Sequence, residues 1–251
     1  MLLRFFVIAF ALCWLITIPF ALQTQGVIPR FLPQPVQWLI GVAPIIAAWR
    51  VTRGSAERAP WLARAFRVRV AASWYLLAAA LPWIILAIAF ALDLSLGHPL
   101  PKLWVGPELA LFGVAWLALA FGEEAGWRAF ALPKLWRGRG FWAAATLLGV
   151  LWAVWHYPKL LSSPYLQFNR DGFLAIAQFT VQIIVANFLL CWLFARTRSA
   201  IVTSVFHASF NLMATAYYLA ALDWTVTASM AAVTVLLLCA DRASLSAVAA
   251  E

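Results

Sequence analysis

Apolar residues fill this chain in long runs, broken at short intervals by arginine, proline and glycine. A run of about 20 apolar residues is long enough to cross the hydrocarbon core of a bilayer as a helix. By that measure the pattern predicts about eight spans, at 3–22, 34–50, 70–92, 105–130, 141–157, 173–195, 199–218 and 223–240. The second and fifth are short. The first run, Phe5 to Leu22, exceeds the apolar region of a secretory leader and has no small-x-small cleavage signal, so it is read as a span. No internal repeat is visible, and only the last ten residues read as a linker. The predicted fold class is all-α: a polytopic transmembrane helix bundle forming one membrane-embedded domain over residues 1–251.

Composition sharpens this reading. The chain is 65% hydrophobic and 11% charged, where a soluble domain is about 45–50% apolar and about 25% charged. Mean hydropathy is +0.90. The net charge of +9 does not imply a nucleic-acid partner, because the basic residues sit mostly in short loops and read as topology signals. One side carries Arg4, Arg242 and three loops. These loops hold Arg50, Arg53, Arg58, Arg64, Arg67 and Arg69, then Arg128, Lys134, Arg137 and Arg139, then Arg196 and Arg198. The other side carries Arg30, Lys102, Lys159 and Arg170. The imbalance places both termini on the cytoplasmic face, in a bacterial plasma membrane. Segment 52–69 also suits a short interfacial helix on anionic lipid. The fifteen tryptophans suit two interfacial belts. Cys13, Cys191 and Cys239 lie in apolar runs without a Cys-x-x-Cys pairing and read as small buried hydrophobes.

Three polar pieces interrupt the apolar runs. They are Gly122-Glu123-Glu124-Ala125-Gly126-Trp127-Arg128, then Trp152 through His156, then His207-Ala208-Ser209-Phe210-Asn211. A charge in hydrocarbon costs about 2.5–3.5 kcal/mol on insertion scales, so such residues mark functional sites by default. Glu124 and Arg128, four apart, share a helix face and can pair, while Glu123 points about 100° away. One carboxylate is thus held and the other is free to face a cavity. His207 and Asn211 also share a face. Taken singly, each piece has a structural reading: an interfacial helix end, a satisfied histidine, or interhelical hydrogen bonding. Gln178, Gln182 and Asn187 on the sixth span read as helix–helix hydrogen bonding, Glu108 as interfacial and His98 as a loop residue.

Depth permits the pieces to meet. The fourth and fifth spans form a hairpin with its tip near Gly138. At 1.5 Å per residue, the glutamates and His156 lie roughly 22 and 27 Å from that tip, and His207 roughly 13 Å beyond Arg198. They are level if the basic tip, Lys134 to Gly140, protrudes. The path after Pro158 must then still cross, through residues such as Lys159, Ser162 and Ser163.

With these residues in place, the sequence resembles the CAAX protease and bacteriocin-processing family of intramembrane proteases, also called the ABI or type II CAAX prenyl endopeptidase family. The family pattern is Glu-Glu-x-x-x-Arg, Phe-x-x-x-His and His-x-x-x-Asn on separate spans. This chain has Glu123-Glu124-x-x-x-Arg128, Trp152-x-x-x-His156 and His207-x-x-x-Asn211, in that order. The resemblance covers about 105–215, the expected catalytic core. Trp152 replaces Phe, and Ala129 stands where many members have Gly; both read as packing positions. The resemblance implies peptide-bond hydrolysis, with Glu123 and His156 activating a water and His207 and Asn211 binding the tetrahedral intermediate. Arg128 would hold Glu124 ionised and in place. Glu123, His156 and His207 would also suit zinc or another divalent metal with an open position for water. The other route is a glutamate-activated water without metal; the metal site is the preferred of the two. The implied partners are the lipid bilayer and a membrane-associated peptide or protein. Rival readings are a non-catalytic membrane scaffold or immunity protein, and a small ion- or proton-coupled transporter. Paired halves and broken helices, which transporters often show, are not evident.

Overall fold

Proline placement decides where the apolar runs continue as helix and where they change character. The computed structural model describes residues 1–100, 103–162, 172–217 and 224–247, and every regular element among them is helical. Helix α1 spans Leu2–Thr24 and continues through Pro19. The second expected span is composite: a 3-10 segment, Gln34–Val42, leads into α2, Ala43–Thr52. Pro44 has no N–H to offer the Ile40 carbonyl, so the Ala43 N–H, only three residues on, takes it. A short helix α3 covers Arg58–Ala65, and α4 covers Ala72–Ser95.

Helix α5, Leu109–Gly126, runs into a π-helical turn, Trp127–Ala131, and then α6, Leu132–Trp136. Helix α7, Gly140–Ser162, continues past Pro158 further than the expected 157. Helix α8, Phe173–Thr197, is followed by α9, Ala200–Ala216, by α10, Trp224–Ala240, and by α11, Arg242–Ala247. The expected C-terminal linker is therefore helical up to Ala247. Lys102, Ser163 and Arg170, the expected span ends at 218 and 223, and residues 248–251 lie outside the described residues.

Among the described residues, four helices are long and apolar enough to cross a membrane: Leu2–Thr24, Ala72–Ser95, Leu109–Trp136 and Phe173–Thr197. Helices α9 and α10 are apolar but shorter. The chain is an integral, multi-pass membrane protein. Helix α5 packs on α2 and α9, α7 on α1 and α8, and α4 on α9 and α10. The tryptophans are only partly interfacial: Trp61, Trp127 and Trp155 are fully buried. Cys13 and Cys191 are buried as expected, but Cys239 is exposed. Helix α10 turns Val226, Met230, Thr234 and Leu238 inward, and Cys239 sits about 100° around from Leu238.

The arginine-rich loops meet at one end of the bundle. Lys134 Nζ lies 2.7 Å from Glu57 Oε2, Ser199 donates to the Arg67 carbonyl at 2.5 Å, and the Arg198 guanidinium lies 5.5 Å from the Trp136 ring. The hydrogen bond from Lys134 holds the Glu57 carboxyl below its usual range. Its stabilisation is therefore complete above the ordinary glutamate value of about 4.3 and fades as pH falls through the lower folded value. The pair is part-exposed, so less than about 1 kcal/mol is at stake. Thermal unfolding should show Glu57→Gln slightly less stable than the parent at pH 7, with the gap closing near pH 3.

Candidate active site

The first polar piece is positioned by two glycines. A Cβ on Gly122 would strike the Gly41 carbonyl oxygen, and one on Gly126 would meet the Pro44 side chain and, at 2.6 and 2.7 Å, its backbone. Gly122 and Gly126 are four apart, so one face of α5 lies directly on the start of α2. Glu124 then points to the opposite side and Glu123 to the flank. Gly126→Ala should cost about 1–3 kcal/mol, as overpacking against backbone does. A denaturant titration in detergent would show a lower midpoint with an unchanged slope.

Immediately after Gly126 the helix widens. The Leu132 N–H donates to the Trp127 carbonyl, five residues back. Such π turns occur mostly as single insertions at functional sites. Helix α3 braces this turn. The Trp61 indole N–H donates to the Ala125 carbonyl at 2.8 Å, and Arg64 Nε donates to the Ala129 carbonyl at 2.9 Å. In an α-helix the Ala129 carbonyl would accept from residue 133, but Pro133 has no N–H; Arg64 takes that place. Segment 52–69 thus carries more than an anchoring helix.

The two adjacent carboxylates have separate partners. Glu124 Oε1 accepts from Arg128 Nη1 at 3.0 Å and from His207 Nδ1 at 2.9 Å. Arg128 Nη2 donates to Asn187 Oδ1 at 3.0 Å, and Asn187 Nδ2 donates to the Ala145 carbonyl at 2.7 Å. Glu124, Arg128 and Asn187 are completely buried. One network therefore links α5, the π turn, α7, α8 and α9. Glu123 stands apart from it, and its Oε2 accepts from the Trp152 indole N–H at 2.9 Å.

His156 donates Nδ1–H to the Trp152 carbonyl at 2.8 Å. A carbonyl only accepts, so the proton is on Nδ1, and Nε2 carries the lone pair of the neutral ring. The same logic gives His207 an Nδ1–H toward Glu124 and leaves Nε2 as its outer edge. Both imidazoles pack edge-on to Trp152, with centroids at 5.5 and 5.3 Å, and Phe179 lies 5.6 Å from His156. The rotation of α9 that aims His207 at α5 is fixed on both flanks. Ser209 donates to the Ala79 carbonyl at 2.6 Å, Trp83 donates to Ser209 Oγ at 3.1 Å, and Trp116 donates to Thr215 Oγ1 at 3.2 Å.

The structure thus brings Glu123, Glu124, Arg128, His156 and His207 around one indole. Asn211 lies one turn beyond His207 on the same face, half-buried, and its carboxamide has no hydrogen bond among the described residues. Trp152, read from sequence as a packing position, makes a polar contact with Glu123. Its signal was its place one turn before His156. Asn187 does bond between helices as expected, but to the motif arginine. Pro133 was the sequence clue to Arg64.

Among the described residues no three His, Cys, Asp or Glu side chains form a group that could hold a metal ion. Glu123, His156 and His207 are close neighbours but are not gathered as ligands. Glu124 Oε2 is sealed without a partner, yet it shares its carboxylate with a guanidinium, a setting that disfavours a second cation.

Comparison with known proteins leads to the same stretch of chain. Residues 104–213 match the family model described as Type II CAAX prenyl endopeptidase Rce1-like. A curated relative from Methanococcus maripaludis, CAAX prenyl protease 2, is 30% identical over 100 residues, 38% of this chain and 36% of that protein. The chain therefore covers little more than a third of that relative's length. The matched segment contains all three polar pieces. Through residues 104–213, this chain is similar to the CAAX protease family.

Proposed function

We propose that this protein is an intramembrane endopeptidase that hydrolyses a peptide bond in a membrane-associated substrate. The observation that carries the reading is the division between neighbouring carboxylates: Glu124 is locked to Arg128 and His207, while Glu123 is held at one oxygen only. Glu123 Oε1 has no hydrogen bond among the described residues, which suits it to take a proton from water. His156 Nε2, an acceptor in the tautomer fixed by its bond to Trp152, steadies the same water. The resulting hydroxide adds to the scissile carbonyl. His207, when protonated on both nitrogens beside Glu124, and the Asn211 carboxamide donate to the oxyanion that forms. Glu123 then returns its proton to the leaving amine.

A divalent metal on Glu123, His156 and His207 is the other route to an activated water. Among the described residues those side chains do not gather as that ligand set. Chelator treatment of purified protein, with metal analysis, separates the two routes: full activity in a metal-free sample supports the direct one. The relative's name points to prenylated Cys-a-a-X tails as one substrate class, and unprenylated membrane peptides are another. We place the arginine-rich end of the bundle and both termini on the cytoplasmic side.

The reading is tested with protein in proteoliposomes and a panel of membrane-anchored peptides, prenylated and not, read by mass spectrometry. His207→Ala and Asn211→Ala should each lower kcat by about 10²–10³-fold, as loss of an oxyanion donor does. Cleavage that is indifferent to both would assign the oxyanion to other groups.

A further inference from the structure

The Trp152 side chain touches four members of the polar cluster: Glu123, Arg128, His156 and His207. Its indole N–H reaches Glu123 Oε2 at 2.9 Å, and the Arg128 guanidinium sits over its ring at 4.3 Å. Its ring meets both imidazoles edge-on, at interplanar angles of 65° and 81°. Its carbonyl also fixes the His156 tautomer. The side chain is 2% exposed, so the hydrogen bond to Glu123 is formed in a dry setting, where a bond to a carboxylate is strong.

We propose that Trp152 is a positioning residue of the site: its indole N–H pins one oxygen of Glu123 so that the other is presented to the water. This rests on the endopeptidase reading above. Without that bond the Glu123 carboxylate can rotate about its terminal torsion, which is broad for glutamate. Neither Oε1 nor His156 Nε2 then keeps a fixed direction toward a common water. The face of the indole has a second use. It receives Arg128, and indole does so better than benzene, so the same ring separates the locked carboxylate pair from the working one. Phenylalanine at 152 would keep a ring between the two but could not donate.

Two replacements isolate the donor. Trp152→Phe removes the N–H and some volume. A benzothienylalanine installed at 152 keeps the bicyclic shape and replaces only the N–H by sulfur. Both should lower kcat by about tenfold or more, the usual consequence of losing a hydrogen bond to a charged group, with KM nearly unchanged. In the Glu123→Gln background neither should lower the residual rate further. A purely structural tryptophan would instead show full kcat with benzothienylalanine, and that result overturns the proposal. An activity-independent readout accompanies the kinetics. The indole N–H resonance of Trp152, identified by its disappearance in Trp152→Phe, should shift in Glu123→Ala. A resonance unmoved by that change overturns the contact itself. If the parent protein cleaves no peptide while the resonance does shift, the contact stands but the positioning role falls along with the endopeptidase reading. Cleavage by the parent with full kcat in both 152 variants sinks the positioning role alone.

Discussion

Glu123→Gln should lower kcat by about 10²–10⁴-fold while the protein remains folded and binds substrate as before. That range is what a positioned general base contributes. The substitution keeps the shape of the side chain. Its carboxamide oxygen can still accept from the Trp152 indole, so the local packing has no reason to change. It removes the capacity to take a proton from water. Glu124→Gln is the informative neighbour. The acceptor Oε1 has an arginine and a histidine on it at 3.0 and 2.9 Å, and a neutral carboxamide serves both poorly. That variant should lose stability as well as rate, whereas Glu123→Gln should lose rate alone. Thermal unfolding and peptide cleavage, measured on the same preparations, distinguish the two glutamates. Equal losses of stability in both would contradict the division of labour.

Arg128→Met should destabilise the protein by about 3–5 kcal/mol, the usual cost of breaking a buried ion pair from one side. The guanidinium is completely buried and reaches Glu124 on its own helix and Asn187 on α8. Methionine fills much of the volume but leaves the Glu124 carboxylate with only His207, and leaves Asn187 Oδ1 without its donor. Both are deep among helices, where an unpaired polar group is expensive. The double substitution Arg128→Met with Glu124→Leu removes both charges and should recover part of the stability, because matched apolar groups replace a buried pair at little cost. It should recover no activity, since His207 loses the carboxylate that orients it. Denaturant midpoints in detergent give the first comparison and cleavage rates the second. A single Arg128→Met variant as stable as the parent would show that the network linking α5, α8 and α9 is not what holds them together.

Much of the bundle was readable because apolar runs and charge clusters are coarse signals. The runs behind α1, α4 and α8 appear within a few residues of their expected ends. The i,i+4 relation of Glu124 and Arg128 was also readable, since it needs only helix geometry. The convergence of three distant pieces was permitted by depth, counted in residues from the loops, on condition that the basic hairpin tip protrudes. What sequence pattern did not reveal was local hydrogen bonding. The π turn after Gly126 leaves hydrophobic periodicity almost untouched, because its residues are all buried. The 3-10 entry to α2 depended on one absent N–H at Pro44. Trp152 was misread because tryptophan in an apolar run is ordinarily packing, and its N–H becomes chemistry only when a carboxylate from another helix comes within reach. Asn187 posed the same problem from the opposite direction: its polarity was plain, but its partner, 59 residues away, was not.

Hydrolysis by this protein itself, through Glu123, is the claim on which the rest depends. It is tested most directly by incubating proteoliposomes of the parent and of Glu123→Gln with a membrane-anchored peptide in water enriched in ¹⁸O, and reading products by mass. The expected result is a single cut that places one ¹⁸O in the new carboxyl group in the parent sample and is lost in Glu123→Gln. Cleavage of equal rate in both samples, or no cut by the parent across prenylated and unprenylated peptides, would contradict it.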